Sequence, residues 1–237
     1  MQKTTLNIEL RTWNSKLETN FIELLKSSFT KDLIEAGCDE VGRGCLAGPV
    51  VAAAVILPKK YRHKLLNDSK QLTKEERMAL REDIIRDAVS WAVAEVSHTE
   101  IDLINILQAS FKAMHLALDQ LTVRPEFLLI DGNRFNTYQD VPHECIVKGD
   151  GRYLSIAAAS VIAKTCRDEL MQQRALQFPG YGWETNVGYP TPEHRQGIVK
   201  LGITPYHRRS FQLLPSQLEL FDEQLPVETG SPIPQSH

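Results

Sequence analysis

Cysteine is scarce and badly spaced for ligation. The four residues, at 38, 45, 145 and 166, form no Cys-x-x-Cys pair and have no histidine cluster beside them, which argues against a zinc site and a disulfide framework. They read as reduced, mostly buried thiols. Long apolar runs are also absent: Met1 to Phe21 is polar and broken by charges, and no later stretch approaches the ~20 residues that cross a bilayer. Neither a signal peptide nor a membrane segment is expected, and the cytoplasm is the expected compartment. No internal repeat is visible. Basic charge is not in excess either, since the formal net charge of −3 argues against a general polyanion binder. Its distribution is uneven. Residues 216–237 carry Glu219, Asp222, Glu223 and Glu228 and no Lys or Arg, and the remainder sums to +1. A nucleic-acid ligand would need a local basic patch.

What is present suffices for one large domain: 237 residues, 42% of them hydrophobic. Residues 1–33 read as an N-terminal extension with a short helix near Phe21–Phe29. Leu33–Val41 and Val50–Leu57 read as neighbouring strands joined by a glycine loop. Thr73-Lys74-Glu75-Glu76 is a capping-box pattern opening a helix to about Val89. Ala92–Ser97 is a strand, and the periodicity after Thr99 predicts a helix to about Leu121, with His115 on its face. Phe127–Ile130 and His143–Val147 are further strands, and Leu154 to about Phe178 is a long helix in which Asp168 pairs with a neighbouring base. Turns at Pro179–Trp183 and Gly188–His194 lead to a short helix ending at Leu201. Strands alternating with helices give an α/β class.

The chemistry concentrates in Asp39-Glu40 and the loop after it. Carboxylate oxygens are the ligands that Mg²⁺ and Mn²⁺ prefer, often shared with substrate phosphate. Glycines at 42 and 44 let the backbone take positive φ and approach a ligand, so amides around Arg43 could bind a sugar hydroxyl or phosphate. Alone, the stretch reads more readily as a surface hairpin turn with a solvated acid pair, and it needs partners elsewhere in the chain. In a regular strand Asp39 and Glu40 point to opposite faces. Either the strand is distorted, or Glu40 acts through its backbone carbonyl or a water.

Asp131 ends the apolar run Phe127–Ile130 and precedes Gly132, the position at which open α/β sheets bind ligands; by itself it reads equally as an Asx turn. Asp150, between glycines after the next strand, is a third strand-end acid. Tyr206-His207-Arg208-Arg209-Ser210-Phe211 offers a basic-aromatic cluster for phosphate contacts.

Across residues 33–213 these motifs resemble the bacterial ribonuclease HII family. The likeness rests on Gly37-Cys38-Asp39-Glu40-Val41-Gly42-Arg43-Gly44 with Leu46-Ala47-Gly48-Pro49-Val50, on Asn67-Asp68-Ser69-Lys70-Gln71-Leu72, and on Ile130-Asp131-Gly132-Asn133. Lys148-Gly149-Asp150, Ala157–Asp168, Gly188-Tyr189-Pro190-Thr191 and His207–Phe211 follow in order. The resemblance implies an RNase H-like fold, a central mixed sheet flanked by helices, with a helical C-terminal part. Residues 34–214 would be the catalytic domain and 215–237 a flexible tail. Asp39, Glu40, Asp131 and Asp150 would hold two divalent cations, Mg²⁺ or Mn²⁺. Gly42-Arg43-Gly44 would read a ribonucleotide 2′-hydroxyl and Tyr189 would stack on the adjoining sugar, with Lys70, Asn133, Arg208 and Arg209 contacting substrate.

The implied reaction is metal-assisted hydrolysis 5′ to a ribonucleotide, in RNA–DNA hybrids or at single ribonucleotides in DNA, leaving 3′-hydroxyl and 5′-phosphate ends in DNA replication and repair. Four adjacent acids are expected to raise one another's pKa. Cys45 stands where the family usually has Pro. Gln217-Leu218-Glu219-Leu220-Phe221 resembles the peptides that dock on sliding clamps, with Leu218, Leu220 and Phe221 as anchors beside Gln217; a chance pentapeptide, or one packed on the domain, weighs equally. A monomer is expected. Two rival readings are a junction resolvase-like metal nuclease, marked by preference for branched DNA, and a non-catalytic nucleic-acid-binding module, marked by metal-independent binding.

Overall fold

The computed structural model describes residues 25–66 and 72–214. One sheet carries the fold. Its strands are β1 (Glu35–Val41), β2 (Val50–Ile56), β3 (Ser90–Val96), β4 (Phe127–Asp131) and β5 (His143–Ile146). They lie in the order β3-β2-β1-β4-β5. β1 runs antiparallel to β2, and β2 to β3, whereas β1 and β4 and then β4 and β5 are parallel. The mixed sheet implied by the resemblance is present, and the three parallel strands all end on the same side.

Helices α1 (Lys74–Asp87), α2 (His98–Asp119) and α3 (Leu154–Gln177) cover the sheet, and α4 (Trp183–Asn186) and α5 (Pro192–Leu201) form the C-terminal part. β2 is VVAAAVI and buried throughout, as expected of a strand covered on both faces. On one face Ala36, Cys38, Ala52 and Ala54 pack with Ala113, Met114 and Ala117 of α2. On the other, Val51, Ala53 and Val55 pack with α3 residues Ala158, Val161 and Ile162 and with α1 residues Leu80 and Ile84. β3, at the edge, alternates buried and exposed positions, with Trp91 and Glu95 outward.

Small residues set the closest approach. A Cβ at Gly37 would lie 2.3 Å from the Ser155 carbonyl carbon, so β1 meets the start of α3 backbone to backbone. The capping box of α1 is present, Thr73 Oγ1 accepting from the Glu76 amide at 3.2 Å and Glu76 accepting from the Thr73 amide at 2.9 Å.

Two expectations are corrected. The residues from 25 to 29 are not helical: the Lys26 amide donates to the Arg152 carbonyl and the Leu154 amide to Lys26, clipping this strand-like stretch beside Tyr153. Phe29 stacks on Phe127, so the last part of the expected extension is packed on the domain; residues 21–24 lie outside the described residues. The helix after Ser97 is interrupted at Asn105, which takes φ 66° and ψ 163°. Its Oδ1 accepts from the Leu107 and Gln108 amides at 3.0 and 3.2 Å, acting as an N-cap for the second segment. Apolar spacing runs through this point unbroken, so periodicity did not reveal it.

Candidate active site

Parallel register gathers the acids. Cys38 pairs with Ile130 across β1 and β4, so Asp39 and Asp131 are the next residues toward the carboxyl ends of adjacent strands. Asp131 in turn pairs with Ile146, the last residue of β5. A 3₁₀ turn at Gly149–Gly151 follows and carries Asp150. The turn is tied to β4, because the Gly149 amide donates to Asp131 Oδ1 at 2.6 Å. Lys148 enters it with a left-handed φ of 56°.

β1 is regular here: Asp39 pairs with Ala53, Glu40 with Ala52 and Val41 with Val51. The distorted-strand alternative is excluded. Asp39 therefore lies on the α3 face, where its carboxylate accepts a hydrogen bond from Ser160, and Glu40 on the opposite face. The Glu40 amide bonds Asp39 Oδ1 at 2.8 Å, and Glu40 Oε1 pairs with Arg43 Nη1 at 2.9 Å. Sequence reasoning did not connect Ser160 with Asp39; its one local signal is a polar residue directly after the run Ala157-Ala158-Ala159.

Burial pushes the Asp39 carboxyl well above the usual range, with repulsion from Asp131 and Glu40 adding to it and the Ser160 bond opposing. Glu40 is also raised, first by burial and then by Asp131, with Arg43 holding it back. Among the described residues no group of three or more His, Cys, Asp or Glu is gathered tightly enough to hold an ion as it stands. The donor set nonetheless fits Mg²⁺ or Mn²⁺: Asp39, Glu40 and Asp131 offer hard carboxylate oxygens close enough to repel one another.

The glycine loop between β1 and β2 borders the acids. Gly42 takes φ +94°, and a Cβ there would lie 2.2 Å from Arg167 Nε, so both its conformation and its space demand glycine. Gly44 differs from expectation: its φ is not positive and a Cβ would meet nothing within 4 Å. Arg43 and Gly44 are exposed. The loop is held from behind by two buried arginines. Arg208 donates to the carbonyls of Gly42 (2.7 Å), Arg43 (2.9 Å), Gly48 (3.0 Å) and Pro49 (3.2 Å). Arg167 donates to Ala47 (3.1 Å), Pro49 (3.0 Å) and Val187 (2.8 Å).

Arg208 is thus a correction. It is fully buried and its donors are taken by backbone, so it cannot also contact substrate phosphate. Arg209 is exposed, and Asn133, two residues past Asp131, is exposed as well. Tyr189 is 38% exposed beside the loop, its hydroxyl in hydrogen-bonding contact with the Cys45 thiol. Lys70, Gln217, Leu218, Leu220 and Phe221 lie outside the described residues. The expected Lys164–Asp168 pair is present at 3.1 Å, and His115 bonds the Asn136 carbonyl at 2.9 Å. All four cysteines are free, Cys38 and Cys45 buried and the other two partly so.

A cavity of about 140 Å³ lined by Leu33, Ile34, Glu35, Ile56 and Val89 lies at the other end of β1 from the acids and loop.

With that arrangement in place, comparison with known proteins is decisive: the family model described as Ribonuclease HII matches residues 36–214. The chain belongs to the ribonuclease HII family. It is accordingly a hydrolase, an endonuclease acting on RNA. It is similar to ribonuclease HII of Bacteroides thetaiotaomicron, 62% identical over 191 residues that cover 81% of this chain and 96% of the relative. Among solved structures, ribonuclease H2 of Pyrococcus horikoshii OT3 superposes with a TM-score of 0.65 at 26% identity, covering 76% of this chain and 94% of that one. RNase HII in the PCNA:RNase HII complex of Archaeoglobus fulgidus gives 0.62 at 26% identity, with coverage of 74% and 92%. Ribonuclease HII relatives therefore share both sequence and fold with this chain. No helix among the described residues is long and apolar enough to cross a membrane.

Proposed function

We propose that this ribonuclease HII cleaves on the 5′ side of ribonucleotides, in RNA–DNA hybrids and at single ribonucleotides within duplex DNA, leaving 3′-hydroxyl and 5′-phosphate ends. The observation that carries the reading is the convergence of Asp39, Glu40 and Asp131 at parallel strand ends beside an exposed Arg43-Gly44 backbone. The amides of that loop would meet the 2′-hydroxyl, the group that distinguishes RNA from DNA. Tyr189 would lie against the adjoining sugar, and Arg43 and Arg209 would meet phosphates. Asn133 and Lys70 would add polar contacts.

Asp39, Glu40, Asp131 and Asp150 would hold Mn²⁺ or Mg²⁺. When bound, such cations supply charge neutralisation at the scissile phosphate and a lowered pKa for the attacking water. Ser160 holds the Asp39 carboxylate on the α3 face, and the Gly149 amide holds Asp131 toward the turn that bears Asp150. Glu40, on the opposite face of β1, would contribute through its backbone carbonyl or a water. Arg43 offsets part of the negative charge before metal arrives. Because the 2′-hydroxyl is engaged by the loop, it is recognised and does not itself attack.

The tail segment Gln217–Phe221 would dock on a sliding clamp, consistent with the clamp complex of the Archaeoglobus relative. Phe221→Ala should lose pull-down by the clamp with cleavage of short duplexes unchanged; equal pull-down would refute this role.

The main experiment compares a DNA duplex containing one ribonucleotide with a matched all-DNA duplex, in Mg²⁺ and in Mn²⁺. Cleavage confined to the 5′ side of the ribonucleotide is expected. No cleavage of the first duplex by folded protein under either metal would overturn the reading.

A further inference from the structure

Two paths of hydrogen bonds leave the successive residues His207 and Arg208 and end at the two parts of the site assigned to recognising sugar. The first runs through imidazoles. The Thr204 amide donates to His207 Nδ1 at 2.9 Å, so the proton of a neutral His207 is on Nε2, which faces His194 Nε2 at 3.2 Å. Trp183 Nε1, which can only donate, reaches the same His194 nitrogen at 2.9 Å. His194 must then carry its proton on Nδ1, and that nitrogen lies 2.9 Å from the Tyr189 carbonyl. Trp183 and His207 share the single acceptor site of His194 Nε2, and Thr204 Oγ1 lies 2.9 Å from His207 Nδ1 beside the amide. All three rings are enclosed: Trp183 and His194 are 0% exposed and His207 is 1% exposed.

The second path starts one residue later. Arg208 donates to the Gly42, Arg43, Gly48 and Pro49 carbonyls, with its guanidinium 5.0 Å from the Phe211 ring. Its amide donates to the Leu46 carbonyl at 2.8 Å, while the Leu46 amide donates to Gly188 at 2.8 Å. The glycine loop is laced between the two segments. The segment is also moored to α2, where Asp102 accepts from the Arg209 and Ser210 amides at 2.9 and 3.0 Å.

We infer that His207-Arg208 is a coupling that holds the glycine loop and Tyr189 at a fixed separation, making His194, His207 and Arg208 positioning residues for a ribonucleotide and its neighbouring deoxyribose; this rests on the roles proposed above for Gly42–Gly44 and Tyr189. Filling the space would require only apolar volume. Here the polar atoms form a directed series that ends on the backbone of Tyr189, and the adjacent fork ends on the loop carbonyls of Gly42 and Arg43. An arginine suits the second task because its planar donors address several carbonyls at once, which an ammonium on a flexible stem does not. A substrate needing both contacts, a deoxyribose next to a single ribonucleotide, is therefore the one most sensitive to the coupling.

The test uses the full chain, measuring kcat and KM on a duplex with one embedded ribonucleotide and on a continuous RNA–DNA hybrid. His194→Gln keeps an acceptor near the Nε2 position but loses the donor to Tyr189; His194→Asn keeps a donor near Nδ1 and loses the Nε2 group. His194→Gln is expected to raise KM for the single-ribonucleotide duplex about 5–10-fold, the size of one lost hydrogen bond, with kcat within about twofold and the hybrid little affected. His194→Asn should keep KM near wild type even if it melts earlier in urea. In a Tyr189→Ala background His194→Gln should add nothing, since the two act through one contact. Arg208→Lys should raise KM on both substrates.

A rise in KM that tracks lost urea stability in both His194 variants would overturn the coupling and leave an ordinary core. So would an undiminished His194→Gln effect in the Tyr189→Ala background. If Tyr189→Ala raises KM and neither His194 variant does, the coupling fails while the role of Tyr189 stands. If Tyr189→Ala itself changes nothing, that role falls and takes the coupling with it.

Discussion

Cys38 on β1 and Ile130 on β4 stand opposite each other in parallel register, and the residue after each is an aspartate. That pairing makes Asp39 and Asp131 neighbours although 92 positions separate them in sequence. Asp131→Asn preserves shape and removes one of the facing charges. Cleavage of the single-ribonucleotide duplex should fall by at least about 100-fold, the scale of losing an electrostatic clamp on a reacting phosphoryl group. Thermal melts provide an independent readout. Mn²⁺ at 100 times its dissociation constant should stabilise wild type by about 2.7 kcal/mol and the variant by much less; an equal gain in both would remove Asp131 from the metal site.

Gly37→Ala places a methyl group 2.3 Å from the Ser155 carbonyl carbon. Backbone on both sides must yield, so a loss of about 1–3 kcal/mol is expected in urea unfolding. Asp39, two residues along the same face, bonds Ser160 on the same helix, so activity should fall beyond what the unfolded fraction explains. Wild-type activity per folded molecule would show that the β1–α3 approach does not set the site.

Arg167→Leu leaves the Ala47, Pro49 and Val187 carbonyls without their donor. Buried acceptors stripped of a charged partner are costly, and a destabilisation of about 3 kcal/mol is expected. A change below about 0.5 kcal/mol would show that water or a rearranged loop replaces the guanidinium.

The histidine pair gives a pH dependence. Burial, followed by the neighbouring His194, takes His207 down from 6.5 to about 4, and burial lowers His194 as well. Between pH 6.5 and about 4 the unfolded chain binds a proton that folded His207 refuses. Stability therefore rises with pH across this window and is lost as pH falls, by on the order of 3 kcal/mol for His207 once fully expressed. Urea midpoints of wild type and His207→Gln, measured from pH 7.5 to 4.5, should converge as the wild type loses this contribution. Parallel curves would show that His207 does not titrate abnormally.

The parts of the site legible in sequence are those whose signals are local. An apolar run ending in an acid and then glycine marks Asp131, and the same pattern of strand, acid and bendable backbone marks Asp39. Thr73 and Glu76 announce a helix start because the capping box lies within four residues. What was illegible depends on distant partners. Arg208 sits in a basic, aromatic string that reads as a surface patch; its burial is decided by carbonyls of residues 42–49, which no local pattern connects to it. His194 and His207 likewise acquire meaning only when α5 brings one ring against the other. Asn105 was hidden for the opposite reason: the apolar spacing continues across it, and a side-chain cap restarts the helix without disturbing that spacing.

The bonds from Arg208 to Gly42 and Arg43 span 166 and 165 positions. Synthesis proceeds from the amino end, so Asp39, Asp131 and Asp150 all leave the ribosome before the residue that braces the loop beside them. A growing chain surrounded by ribosomal and messenger RNA thus holds its acids well ahead of its brace. A chain ending before residue 208 would carry these acids and the loop without the guanidinium that bonds the Gly42 and Arg43 carbonyls.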